Sequence, residues 1–235
     1  MKLIPLGLAL LSTAFVSPVF AATFEGIVQM KVIDASKTVP MQYQVKDGLV
    51  RIDVSDPKGH QVSMIMDTAN QKMIMIMTAQ HMYMTVPLRG MGQPPATGQG
   101  AAPPSAAPSP SGGMPVKTGE TKTILGYTCT KYQSQANGST VEMWVTDELG
   151  NFAGLGAGGP GGRGQPPAWQ QALAGHGFFP MLVTGTTSSG KAFSLEVTSV
   201  EKQSLDDSVF APPAGFQDLG NMGGMMGAMM GGQRP

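Results

Sequence analysis

Between His60 and Val86 the sequence reads HQVSMIMDTANQKMIMIMTAQHMYMTV and carries seven of the chain's nineteen methionines: Met64, Met66, Met73, Met75, Met77, Met82 and Met84. Thioethers at this density do one of two kinds of chemistry. They are soft donors that favour Cu(I) and Ag(I), and they are flexible, polarisable apolar groups that accept varied greasy partners. A third reading needs only packing. Burying a methionine is worth roughly 1.5–3 kcal/mol, so seven contribute on the order of 10–20 kcal/mol gross, an upper bound. Stability alone is therefore sufficient cause, although cores that specify one arrangement favour branched residues over methionine. Core, apolar cavity and soft-metal site all stay open at this point.

Other reactive groups are sparse. The three histidines, His60, His81 and His176, stand in no Gly-x-Ser-x-Gly or His-Glu-x-x-His arrangement. The glycines at 154–164 lack the Gly-Lys-Ser/Thr ending of a phosphate loop, and no carboxylate pair stands apart from ordinary surface charge. No catalytic residue is expected, and no enzyme. Cys129 is the sole cysteine, which excludes an intramolecular disulfide; a lone thiol in an oxidising compartment is expected to be buried.

Fifteen basic and fifteen acidic side chains balance over 235 residues, which removes the electrostatic case for a nucleic-acid partner. Residues 1–21 read as an export signal: Lys2, an apolar stretch over Leu3–Val16, and the small-x-small site Val19-Phe20-Ala21. No cysteine follows the expected cut, and no later apolar run approaches the roughly 18 residues of a membrane helix. A soluble, exported, periplasmic protein without lipid anchor or transmembrane segment is expected.

The methionines need strands to position them, because within each run they fall on alternate positions. Phe24–Ile33 alternates first, and Asp34–Pro40 reads as a loop. From Met41 onward a meander can be registered turn by turn. Asp47-Gly48 sets Val45 opposite Val50, Tyr43 opposite Ile52 and Met41 opposite Val54. Asp56-Pro-Lys-Gly59, taken with a glycine bulge, sets Val54 against Val62, Ile52 against Met64 and Val50 against Met66. Thr68–Gln71 then opposes Met66 to Met73, Met64 to Met75, Val62 to Met77 and Asp67 to Lys72. Thr78–His81 opposes Met77 to Met82, Met75 to Met84 and Met73 to Val86. Every apolar alternate lands on one face of five strands from Met41 to Val86. The opposite face starts polar (Gln42, Gln44, Arg51, Asp53) and ends mixed (Ile65, Ile74, Ile76, Tyr83), so the later strands are expected to be covered on both sides.

Residues 22–87 form the first half of the domain on this reading, and 88–118 a Pro/Gly/Ala/Ser insertion expected to be disordered. Residues 119–216 form the second half. Strands are expected at Thr121–Ile124, Tyr127–Ser134 and Thr140–Asp147, the last two joined at Asn137-Gly138 with Cys129 and Trp144 turned away from Tyr132 and Met143. A short helix is expected at Ala168–Ala174, and a last hairpin over Pro180–Thr187 and Lys191–Gln203. Residues 217–235 read as a disordered Gly/Met tail.

Four phrases of the second half, Ile124–Tyr132 (ILGYTCTKY), Glu142–Asp147 (EMWVTD), Leu205–Phe210 (LDDSVF) and Pro213–Phe216 (PAGF), resemble a family of secreted bacterial domains of unknown function. Its members in turn resemble the lipoprotein carriers LolA and LolB, and the resemblance spans Phe24–Phe216. It implies a mainly β fold, a single strongly curved antiparallel sheet forming a half-barrel with one or two short helices, and it supplies no catalytic motif. On such a sheet the expected ligand is a lipid or acyl chain held by Tyr43, Ile52, Met64, Met66, Met73, Met75 and Met84. The rival soft-metal reading takes His60, Met77 and Met82 as copper(I) ligands at the rim, with His81 pointing away and the tail methionines (Met222, Met225, Met226, Met229, Met230) as unstructured scavengers. No other cofactor is expected, and the sequence points to no protein partner.

Overall fold

The computed structural model describes residues 24–34, 37–55, 59, 61–88, 115–136, 139–155, 168–173, 176–186 and 190–220. Alternation and turn chemistry together build the first half. β1 (Gly26–Asp34), β2 (Lys37–Lys46), β3 (Leu49–Ser55), β4 (Gln61–Asp67), β5 (Lys72–Met77) and β6 (Met82–Pro87) run as an antiparallel meander. Asp47 and Gly48 both take positive φ, the requirement of a tight hairpin turn. After β4, Asn70 donates to the Asp67 carboxylate through its side chain (2.7 Å) and its backbone (2.9 Å). Those bonds, with Lys72 3.5 Å away, hold the Asp67 carboxyl below its ordinary range. Between β5 and β6 a single 3₁₀ turn closes on His81 in the left-handed region.

All four registers expected from the turns are present, including Val54 opposite Val62 and Met77 opposite Met82. The second half is β7 (Val116–Ile124), β8 (Tyr127–Ala136), β9 (Ser139–Thr146), the helix α1 (Ala168–Leu173), β10 (Phe179–Thr186) and β11 (Ala192–Lys202). Thr130 opposes Val145 and Tyr132 opposes Met143, again as expected. A two-residue β12 (Gln217–Asp218) ends the sheet. The strand order is β12-β6-β5-β4-β3-β2-β1-β11-β10-β9-β8-β7, twelve strands in one open sheet that is antiparallel except for β12 on β6.

Three boundaries differ from the sequence reading. β2 begins at Lys37, so Lys37–Pro40 is strand rather than loop; its partners are Lys31–Asp34 of β1, and it extends past the last residue that β3 pairs with, Met41. β7 begins at Val116, inside the stretch assigned to the insertion, and is exposed almost throughout, so it lacks the apolar alternation that marks a strand. Residues 217–218 pair with Met82 and Tyr83, so the tail starts later than Gln217. The export signal, residues 89–114 and the tail from 221 lie outside the described residues.

One face of this sheet turns in on itself. β2 and β10 are three strand spacings apart, about 14 Å on a flat sheet, yet the rings of Tyr43 and Phe179 sit 5.4 Å apart. The enclosed core takes Val28 and Met30 from β1, Val50, Ile52 and Val54 from β3, Met143 and Val145 from β9, and Leu195 and Val197 from β11. Leu149, Phe152, Leu155, Trp169 and Leu173 fill its interior from the chain between β9 and β10. On the outer face a second cluster joins Ile65, Ile74 and Ile76 to Leu205 and Phe210. The later strands are thus covered on both sides.

Candidate functional site

The inner face of β4, β5 and β6 carries Met64, Met66, Met73, Met75, Met77, Met82 and Met84, and the outer face of the same strands carries Ile65, Ile74, Ile76 and Tyr83. The methionines divide by depth. Met64, Met66 and Met73 are buried in the main core beside Ile52. Met75 is half-buried and packs against that core. Met77, Met82 and Met84 are half-buried and belong to neither cluster of buried apolar side chains. Burial therefore falls off toward the β6 edge and the β5–β6 turn.

Tyr43 is fully enclosed. Its ring stacks on Phe152 at 5.6 Å and meets Phe179 edge-on, and its hydroxyl oxygen accepts the Ala153 backbone N–H at 2.9 Å. Burial pushes the phenol far above its ordinary value. Phe152 in turn stacks against Trp169 at 6.3 Å, and the side-chain Oε1 of the buried Gln170 accepts the Leu155 N–H at 3.0 Å. The segment Leu149–Leu155 is thus pinned to both β2 and α1 as an internal plug. Its aromatic and leucine side chains occupy the space beside the expected ligand-lining residues. Periodicity could not find them, since Phe152 and Leu155 lie in irregular chain next to glycines.

Charged side chains line the other face of β2 and β3. Arg51 donates to Asp53 at 2.9 Å and to the Val209 carbonyl at 2.8 Å, and Gln44 donates to Asp53 at 2.9 Å. Lys46 donates to the Leu205 carbonyl and to Asp207, both at 2.6 Å, which strengthens its hold on its proton. Those bonds strap residues 203–216 over the second cluster. Cys129 is completely buried, and burial raises its thiol above the usual range, as befits an inert packing residue. Trp144 faces the surface lysines Lys122 and Lys131, whose ammonium groups stand 4.1 and 5.8 Å from its ring centroid.

Among the described residues no group of three or more His, Cys, Asp or Glu is placed to hold a metal ion. Of the rim ligands read from the sequence, Met77 and Met82 lie directly opposite each other, while His60 lies outside the described residues. His81 leans against Phe216 at 5.3 Å between ring centroids. No helix among the described residues is long and apolar enough to cross a membrane.

A family model for a domain of unknown function, DUF4412, matches residues 24–216. No curated protein matches the sequence. Among solved structures, an uncharacterised conserved protein from Thermus thermophilus aligns with a TM-score of 0.50 at 9% identity, over 85% of this chain and 91% of the other. PNGF-II aligns with a TM-score of 0.46 at 13% identity over 86% of this chain, which spans only 32% of the PNGF-II chain. A LolA superfamily protein from Nitrosomonas europaea aligns with a TM-score of 0.33 at 10% identity, over 80% and 90% of the two chains.

Proposed function

We propose that this chain, which belongs to the DUF4412 family, is a non-enzymatic, exported binding protein that holds an apolar ligand against its methionine-rich sheet face. The carrying observation is the gradient along that face. Met64, Met66 and Met73 are sealed in the core, while Met75 and Met84, opposed across β5 and β6, are left half-open to solvent. A lipid or acyl chain would enter there and reach inward. The buried methionines behind Met75 give the wall the plasticity to repack around it. Tyr43 and Ile52 hold the floor of that wall rather than touching the ligand first. The absence of charged side chains on the inner face of β4–β6 favours an apolar occupant over a polar one.

Native mass spectrometry of protein purified gently from its own export compartment tests the reading, together with uptake of a fluorescent fatty acid. Bound lipid, or saturable uptake weakened several-fold by charge at the rim (Met84→Lys), is the expected result. Repeated absence of any bound lipid, with no uptake by the unaltered protein, would reject it.

A further inference from the structure

We propose that Met75, Met77, Met82 and Met84 together form a thioether site for one soft monovalent cation, Cu(I) or Ag(I). This inference uses the same rim as the apolar-ligand reading but does not depend on it.

The register places the four side chains at the corners of one patch. Met75 opposes Met84 and Met77 opposes Met82, all on the inner face. Directly opposed residues have Cβ atoms about 5 Å apart, and the next pair along the strands lies about 7 Å away. Rotation about Cα–Cβ and Cβ–Cγ of each unbranched side chain lets the sulfurs of such a rectangle converge on a point above its centre.

Among the described residues Met77, Met82 and Met84 stand outside both clusters, and all four side chains are half-buried rather than sealed. Composition on the two faces of the same strands sharpens the point. β5 reads Lys-Met-Ile-Met-Ile-Met, with every isoleucine on the outer face and every methionine on the inner. A strand asked only to be apolar would use isoleucine or valine on both faces, because branched residues suit strands better. Restriction of methionine to one face, continued through Met82 and Met84 of β6, gathers the half-buried thioethers of β5 and β6 on one patch.

Such a donor set also fixes the ion class. The four side chains offer thioether sulfur alone, and thioethers are soft donors that favour soft cations. Neutral thioethers satisfy a soft cation without adding charge to an apolar face, and a monovalent ion at a half-open rim carries a smaller desolvation penalty than a divalent one in the interior.

The test is titration of the full mature chain with Ag(I), and with Cu(I) against a competing chelator under reducing conditions. One equivalent should bind with a dissociation constant below micromolar, and equally well at pH 5 and pH 7, since thioethers carry no proton to compete. Met77→Leu combined with Met82→Leu keeps volume and apolarity and should weaken that binding at least 30-fold while fatty-acid uptake persists. Replacing the five tail methionines by leucine should leave it unchanged. In the unaltered protein, the ¹³C-methyl resonances of Met75, Met77, Met82 and Met84 should shift on Ag(I) addition and that of Met66 should not, which keeps the test independent of variant folding. Affinity no better than micromolar, a tenfold fall between pH 7 and pH 5 (which would give the ion to an imidazole), or loss confined to the tail variant would each overturn the assignment.

Discussion

Tyr43 stands on the face that alternation gave it and meets neighbours there that alternation does not reach. Alternation placed it on the inner face opposite Ile52, where it stands; what it meets there is the plug, through Phe152, Phe179 and the Ala153 N–H. Replacing it with phenylalanine takes the partner from the half-buried Ala153 N–H, at a cost of about 1 kcal/mol. The phenol also couples to pH. Burial raises its folded value well above the ordinary value near 10, so the folded protein keeps a proton that the unfolded chain releases in alkali. Stability must then fall as pH rises past about 10, and neutral conditions escape this loss entirely. Urea denaturation at pH 7 should show Tyr43→Phe with a lower midpoint than the unaltered protein. A series from pH 9 to 11 should show a shallower decline in the variant. An unchanged midpoint at pH 7 would mean that the hydroxyl is not holding the plug.

Element by element, what could be read from the sequence follows how each piece is stabilised. The meander was legible because two local signals agree at every turn: Asp47-Gly48 demands a tight hairpin, and the resulting register makes each opposed pair apolar. Of β7 only the end, Thr121–Ile124, was legible, because Val116–Glu120 are exposed and carry no apolar alternation. β12 escaped for the same reason, two residues held to β6 by main-chain bonds such as Gln217 N–H to the His81 carbonyl at 2.9 Å. The plug escaped because its position depends on contacts more than a hundred residues away in sequence, such as Ala153 with Tyr43. The join of the two halves, β1 on β11, was equally invisible and makes its own demand on sequence. A Cβ on Gly26 would overlap the Glu201 carbonyl oxygen of β11 and press on the Phe24 ring. Gly26→Ala should therefore separate the start of β1 from the end of β11 and destabilise the fold by roughly 2–3 kcal/mol. Thermal melts of the two proteins under identical conditions check this; equal transitions would show that the strands can slide apart without loss.

At the scale of the molecule, the central contact of the sheet is the one most distant in sequence. β1 pairs with β11 from Gly26 opposite Lys202 to Asp34 opposite Phe193, so the first and last long strands meet in the middle while β7 ends the order on one side and β6, next to the two-residue β12, lies toward the other. The core repeats that arrangement, with Tyr43 and Ile52 from the first half packed in one cluster with Phe152, Phe179 and Met181 from the second. Neither half encloses this interior alone. The nine-residue ladder and the shared core thus supply an attraction between the halves that does not pass through the chain joining β6 to β7. A protease recognition sequence placed between Ala101 and Ala102 should then be cleavable with the two fragments still migrating together in native gel filtration, and still taking up ligand at the methionine rim. Cleavage converts folding into a two-body association, so the denaturation midpoint of the cut protein should rise with concentration, whereas that of the intact chain should not. Fragments that part in native buffer would mean that the linker, and not the β1–β11 seam, holds the halves in one sheet.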